Sequence, residues 1–209
     1  MIFEETKVDL ADVFDKLAEP GYFAVIPSFK IPASKVKFNG GVIETAEFET
    51  PETKLYCIHN QDNKQYLLFD NCLFNMPIAP FKDGKEICFK NSFLKKYLKK
   101  VFLPAFMKAV NFKSENKIKC DILSKAEVFG ESEEDCTGQL AWFMEPKHKI
   151  AMYRDYSDWW WLSDKYKDCE GDASAAYFCG VRYYGGAYSG GAGNTDLYVR
   201  PRFVIERKS

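Results

Sequence analysis

The chain has 209 residues, 46% of them hydrophobic and 28% charged, with a formal net charge of −1. Such a length and balance describe a globular chain able to bury its own core. The near-zero charge excludes whole-chain electrostatic attraction to nucleic acid or to an anionic membrane, and no stretch has the apolar length of a membrane span.

In chain order, Leu10, Val13, Phe14 and Leu17 fall at i, i+3, i+4 and i+7 and predict a short helix stopped by Pro20-Gly21. YFAVIP at 22–27 reads as a strand, and the alternating GVIETAEF at 41–48 as another. KLYCIHN and QYLLFD flank a polar Asp/Asn turn and read as a hairpin. The clearest helix begins at Asn91 or Ser92, with Leu94, Tyr97, Leu98, Val101 and Phe102 as its apolar stripe. Lys95, Lys96, Lys99 and Lys100 form its opposite face, which reads as solvated. Pro104 is expected to end or kink it, with AFMKAV continuing as a second short helix. IKCDIL reads as a strand, and Ser124 with Glu127 has the pattern of a capping box, closed by Gly130. QLAWFM and KIAMY read as strands or extended core segments, and WWWL at 159–162 as a buried strand. Many short strands and few helices place the chain in the α+β class.

Catalytic signatures are absent. His59 and His148 stand in no Ser/His/Asp or Cys/His setting, and no nucleophile elbow, zincin or P-loop motif occurs. The seven cysteines are odd in number, widely spaced and without C-x-x-C, so neither a disulfide framework nor a zinc site is expected. They read as small buried hydrophobes in a reducing compartment. The acidic cluster Glu131, Glu133, Glu134 and Asp135 reads as a solvated loop without calcium-loop spacing. No catalytic residue, metal or cofactor is therefore expected. The opening MIFEETKVDL lacks the features of a signal peptide, which points to cytoplasmic synthesis and leaves the final location unknown.

One segment has a different vocabulary. SAAYFCGVRYYGGAYSGGAGNTDLYVRP at 174–201 holds five tyrosines and six glycines, with only Arg182 and Asp196 charged before Arg200. Tyr, Ser, Gly and Asn dominate antibody paratopes, because tyrosine offers stiff amphipathic contact area and glycine and serine adapt the backbone. Composition alone leaves two readings level: a recognition surface, or a glycine-rich hairpin whose tyrosines pack on a neighbouring sheet.

W-W-L-S at 160–163, Ala175-Ala176 and Val199-Arg200-Pro201 together resemble a bacterial and phage family marked by W-W-L-R-S-P, a Gly/Tyr/Asn-rich segment and G-V-R-P-A. NSFLKKYLKKVF and CDILSKAEVFG resemble the same family's helix and Leu-Ser/Glu-Val segment, so the resemblance runs from about 66 to 205. Ser163-Asp164-Lys165 departs from R-S-P, Tyr198 stands where glycine is usual, and KYKDCEGD is unusually charged. The resemblance implies a C-type-lectin-like fold of the formylglycine-generating-enzyme type. Some members resemble the variable proteins of diversity-generating retroelements, in which error-prone reverse transcription scatters solvent-facing codons. It implies one domain over 1–209 with 172–198 as the ligand-binding segment. Its binding residues would be Tyr177, Cys179, Arg182, Tyr183, Tyr184, Ala187, Tyr188, Ser189, Asn194, Thr195, Asp196 and Leu197. Ala175, Ala176, Phe178 and Val199 would be core. The partner would be a protein or glycan ligand on another cell or molecule, met at a virion or cell surface, with oligomerisation left open. Two alternatives stand beside it: a copper-dependent enzyme of the formylglycine-generating type using Cys169 and Cys179, and a structural assembly protein whose hairpin packs on another subunit.

Overall fold

A computed structural model describes residues 3–15, 18–80, 87–111, 116–131, 138–166 and 177–207. Glu133, Glu134, Asp135, Cys136, Cys169, Ala175 and Ala176 lie outside the described residues.

The N-terminal half supplies β1 (Thr6–Lys7), α1 (Leu10–Asp15), β2 (Tyr22–Ile26), β3 (Lys30–Ile31), β4 (Ser34–Phe38), β5 (Gly41–Thr45), β6 (Phe48–Glu49), β7 (Thr53–Gln61), β8 (Lys64–Phe69) and β9 (Phe74–Asn75). After them come α2 (Phe93–Tyr97), a π-helical turn (Leu98–Phe102), α3 (Leu103–Ala109), β10 (Lys117–Asp121) and α4 (Lys125–Phe129). Two 3-10 turns (Ala141–Met144 and Pro146–Lys149) lead into β11 (Ala151–Tyr153), β12 (Tyr156–Asp158) and β13 (Trp160–Lys165). The last strands are β14 (Tyr177–Val181), β15 (Ala187–Gly191), β16 (Tyr198–Val199) and β17 (Arg202–Glu206). The fold is α+β, rich in strands and with few helices. No described helix is long and apolar enough to cross a membrane.

Two sheets carry the architecture. One has the order β1-β2-β7-β8-β17-β10, antiparallel except for the parallel β1–β2 pair; the other has the order β15-β14-β13-β16-β9. Period-two alternation sends neighbouring residues to opposite faces, and here both faces are buried. Cys57, Leu67, Phe69 and Phe203 join a cluster with Phe14, Phe102 and Phe106 of the helices. Tyr56, Ile58 and Leu68 join a second cluster with Val128, Trp142, Trp160 and Leu162. Doubly covered strands explain why KLYCIHN, QYLLFD and WWWL read as nearly continuous apolar runs. Trp160 and Trp161 are adjacent and enter different clusters.

The strand expected at 22–27, the 53–69 hairpin, the strand in IKCDIL and, over Leu10–Asp15, the first helix are all present; Leu17 lies outside the described residues. The capping box forms: Glu127 N donates to Ser124 Oγ at 3.2 Å and Ser124 N to Glu127 Oε2 at 2.7 Å. Ser92 caps α2, accepting from Lys95 N at 3.0 Å. Pro104 does not end this helix. It lacks an N–H and would crowd the carbonyl four residues back; the turn before it widens so that Leu103 N bonds Leu98 O, five residues back. QLAWFM is a correction: its 141–144 part is a 3-10 turn, burying Trp142 and Phe143. Only Ala151–Tyr153 of KIAMY is a strand.

Candidate binding face

Strands β14 and β15 form an antiparallel hairpin with Cys179 opposite Ser189 and Gly180 opposite Tyr188. One face of the hairpin carries Phe178, Gly180, Tyr188 and Gly190, and Tyr188 lies against Trp159 with ring centroids 4.5 Å apart. The glycines here have a steric reason. A Cβ on Gly180 would sit 2.9 Å from the Trp160 carbonyl oxygen, and one on Gly190 3.2 Å from the Tyr188 ring and 3.3 Å from the Trp161 ring. Glycine lets two aromatic rings lie on the sheet. The connecting turn closes with Arg182 N donating to Gly186 O at 2.7 Å and Gly185 N to Arg182 O at 2.8 Å. Gly185 has φ +88, a left-handed conformation that favours glycine.

At the tip of this turn Tyr183 and Tyr184 stand 50% and 54% exposed, edge to face at 5.0 Å. The Arg182 guanidinium lies 5.9 Å from the Tyr184 ring centre and 5.7 Å from that of Tyr188, linking the exposed rings to the packed one.

The other face carries Tyr177, Cys179, Val181, Ala187, Ser189 and Gly191. Beside it β13 bulges: Trp161 pairs with Gly180 and Lys165 with Phe178, so four steps of β13 oppose two of β14. The bulged residues turn to the start of α4 instead. Ser163 N donates to Leu123 O at 2.9 Å, and Asp164 Oδ2 accepts from Lys125 N at 2.5 Å. Bulges re-aim side chains beside functional sites, and this one borders a cleft of about 320 Å³. Cys179, Ser189 and Leu162 line it from the sheet, Lys125 and Phe129 from α4, with Tyr166 and Arg182 at its margins. A second cleft of about 420 Å³ shares Lys125, Tyr166 and Cys179 with it and reaches Glu131. A further cavity, of about 650 Å³, lies elsewhere, between the π turn and β3, and shares none of these residues.

The twelve residues expected to form the binding surface do not share one environment. Tyr177, Tyr183, Tyr184, Ala187, Thr195 and Asp196 are exposed; Arg182, Tyr188, Ser189 and Asn194 are half-buried. The loop bearing the last of these is braced, with Asp196 N donating to Asn194 Oδ1 at 2.7 Å and Asn75 Nδ2 to Thr195 O at 3.0 Å. Two expectations need correction. Leu197 is 1% exposed because it packs into the main cluster and faces Gly180. Cys179 is 4% exposed because alternation turns it toward Leu162 and Val181, where its thiol contacts the Lys165 carbonyl at 3.7 Å. It forms a cleft wall rather than a displayed side chain. Residues 172–176 of the expected segment lie outside the described residues.

Scaffold residues hold the face from beneath. Trp161 Nε1 donates to Met76 O at 2.9 Å and Trp160 Nε1 to Lys149 O at 3.1 Å. Arg200 is buried, its Nε donating to Phe69 O at 2.9 Å and its Nη1 to His148 O at 2.8 Å, with the guanidinium 5.2 Å from the Trp160 ring centre. Burial lowers its pKa, opposed by the charge of Asp70. The arginine of V-R-P is thus a tie between the two sheets. Arg202 is bound to Asp121 at 2.5 Å and to Glu127; burial alone would lower its pKa, and the two carboxylates raise it. His148 stacks on Trp142 at 3.8 Å and 6°, with Nδ1 2.6 Å from the Trp142 carbonyl oxygen. Burial lowers its pKa against the raising effect of that carbonyl and of Glu145.

Lys125, Phe129 and Tyr166 join the site without having been expected there. The capping box announced α4, but where that helix docks has no local signal. Among the described residues no three metal-ligating side chains lie together. Of the pair Cys169 and Cys179, only Cys179 is described.

Residues 111–207 match a domain of unknown function (DUF6273), a span that includes β10 to β17 and hence the hairpin, the bulge and the cleft. No curated protein and no solved structure matches the chain.

Proposed function

We propose that the chain is a ligand-binding protein of C-type-lectin-like type that displays the β14–β15 turn and the 192–196 loop to a protein or glycan. The observation that carries this reading is the division of labour among the tyrosines. Tyr183 and Tyr184 project from a braced turn, while Tyr188 packs on Trp159 and supports them. Exposed aromatic anchors on a stiff frame lose little entropy on binding. The retroelement origin belongs to this reading: the exposed positions are those a diversified repertoire would use, and the glycines and tryptophans beneath are those it would keep.

The test has two arms. Deep sequencing of codons 172–198 in a natural population carrying this gene is expected to show substitutions at Tyr177, Arg182, Tyr183, Tyr184 and Asn194 to Asp196. Phe178, Cys179, Gly180, Gly190 and Leu197 should stay constant. Variation no greater than in the flanks rejects the retroelement origin. A glycan and surface-protein array probed with the wild type and with the Tyr183→Ala/Tyr184→Ala variant tests the binding role. Signals unchanged in the variant reject it.

A further inference from the structure

A cavity of about 650 Å³ shares no lining residue with the clefts beside the tyrosine face and is unused by the reading above. It runs between the π turn with α3 on one side and the β3–β6 pair on the other. Its apolar lining is Val101, Pro104 and Ala105 from the helix and Pro32 opposite, with Val101 and Ala105 half-buried and the two prolines exposed. Its rim carries three lysines, Lys30, Lys100 and Lys108, against one carboxylate, Glu47. Glu47 already faces Lys30 at 3.5 Å. Lys100 and Lys108 are exposed and have no ion pair among the described residues.

The volume falls in the range of small-molecule pockets, about 300–1,000 Å³, which combine an apolar wall with a few placed polar groups. The wall is also where the helix departs from α geometry. The π turn at Leu98–Phe102, which accommodates Pro104, carries Lys100 and Val101, and all three residues line the groove. An apolar trough with unneutralised cations at one rim selects a ligand with a buried hydrocarbon body and an anionic head. A neutral apolar molecule leaves the lysines unused, and a small anion leaves the trough wet.

We infer that this groove binds a small anionic amphiphile, a carboxylate or phosphate monoester on a medium-length hydrocarbon body, with Lys100 and Lys108 holding the head group. Decanoate, kept below its micellar concentration, is the probe. Titration followed by calorimetry and by the amide shifts of 98–109 is expected to show saturable binding, with decanol and acetate each at least tenfold weaker. The Lys100→Glu/Lys108→Glu variant changes two exposed positions and should weaken decanoate at least tenfold with an unchanged melting temperature. Ala105→Trp, which fills the trough, should abolish binding. Should that variant fail to fold, Ala109→Trp at the exposed end of the same wall replaces it. Absence of saturable binding overturns the proposal, as does decanol binding as tightly as decanoate. Binding that survives the double lysine reversal overturns the assignment of the head-group site. A parallel titration with decyl phosphate tells the two head groups apart, since the tighter ligand names the preferred one.

Discussion

Tyr188 and Tyr184 are four residues apart and chemically identical, yet truncating them should have unlike effects. Tyr188 is half-buried, its ring on Trp159 at 4.5 Å and over the open backbone of Gly180 and Gly190. Large aromatic-to-alanine changes in a full core cost about 3–5 kcal/mol. Half burial brings this to about 2 kcal/mol, part of it the roughly 0.5–1.5 kcal/mol of the aromatic pair itself. For a chain of this size about 1 kcal/mol moves the melting temperature by about 2–4 °C, so Tyr188→Ala should lower it by about 4–8 °C. Tyr184 is 54% exposed, its ring edge to face with Tyr183, over the bare backbone of Gly186 and 5.9 Å from the Arg182 guanidinium. Its removal should stay within about 0.5 kcal/mol, as for ordinary surface positions. Thermal and urea melts followed by tryptophan fluorescence and far-UV circular dichroism measure both. Equal losses for the two variants, or a neutral Tyr188→Ala, would refute the division between display and support on which the functional reading stands.

Arg200→Met should cost about 3 kcal/mol or more, since it leaves the Phe69 and His148 carbonyls without their charged donor in a buried setting. Arg200→Lys should recover only part of this, because one ammonium cannot span both carbonyls and still stack on Trp160; a urea titration of the three proteins decides it. His148 gives a pH dependence of definite sign. Its folded pKa lies below the ordinary value of 6.5, so the unfolded chain binds the proton more readily. The stability this protects is complete above about pH 6.5 and declines as the pH falls through that value. Melting temperatures between pH 7.5 and 5.5 should fall more steeply for the wild type than for His148→Gln, and parallel slopes would show that His148 is not the titrating group.

Much of this protein was legible from local pattern. The hairpin around Asp62-Asn63, the capping box of Ser124 and Glu127, and the buried strand in WWWL each rest on signals within a few residues; the structure contains the first two, and of the third Trp160 to Leu162, with Trp159 half-buried before the strand. Asn39-Gly40, both with positive φ, is a further local signal: it forms the turn between β4 and β5 and pairs Ser34–Phe38 with Gly41–Thr45. Other features had no local signal. Whether Pro104 breaks a helix depends on whether the turn before it can widen against the phenylalanines beneath. Cys179 and Leu197 share the vocabulary of their exposed neighbours and are buried, because strand alternation and the Gly180 gap decide which side chain turns inward.

Residue type and spacing by themselves determined the α+β class, the β7–β8 hairpin with β2 and β10, and the presence of a tyrosine- and glycine-rich turn near the C-terminus; β17, between β8 and β10, was not among the strands they marked. Tertiary structure alone decided which tyrosines are displayed and which are packed, and it brought Lys125 and Phe129 beside Cys179 and Ser189. The physical reason is range. Hydrogen-bonded turns and caps are satisfied within a few residues, whereas the burial of a side chain depends on partners that only the folded sheet places against it.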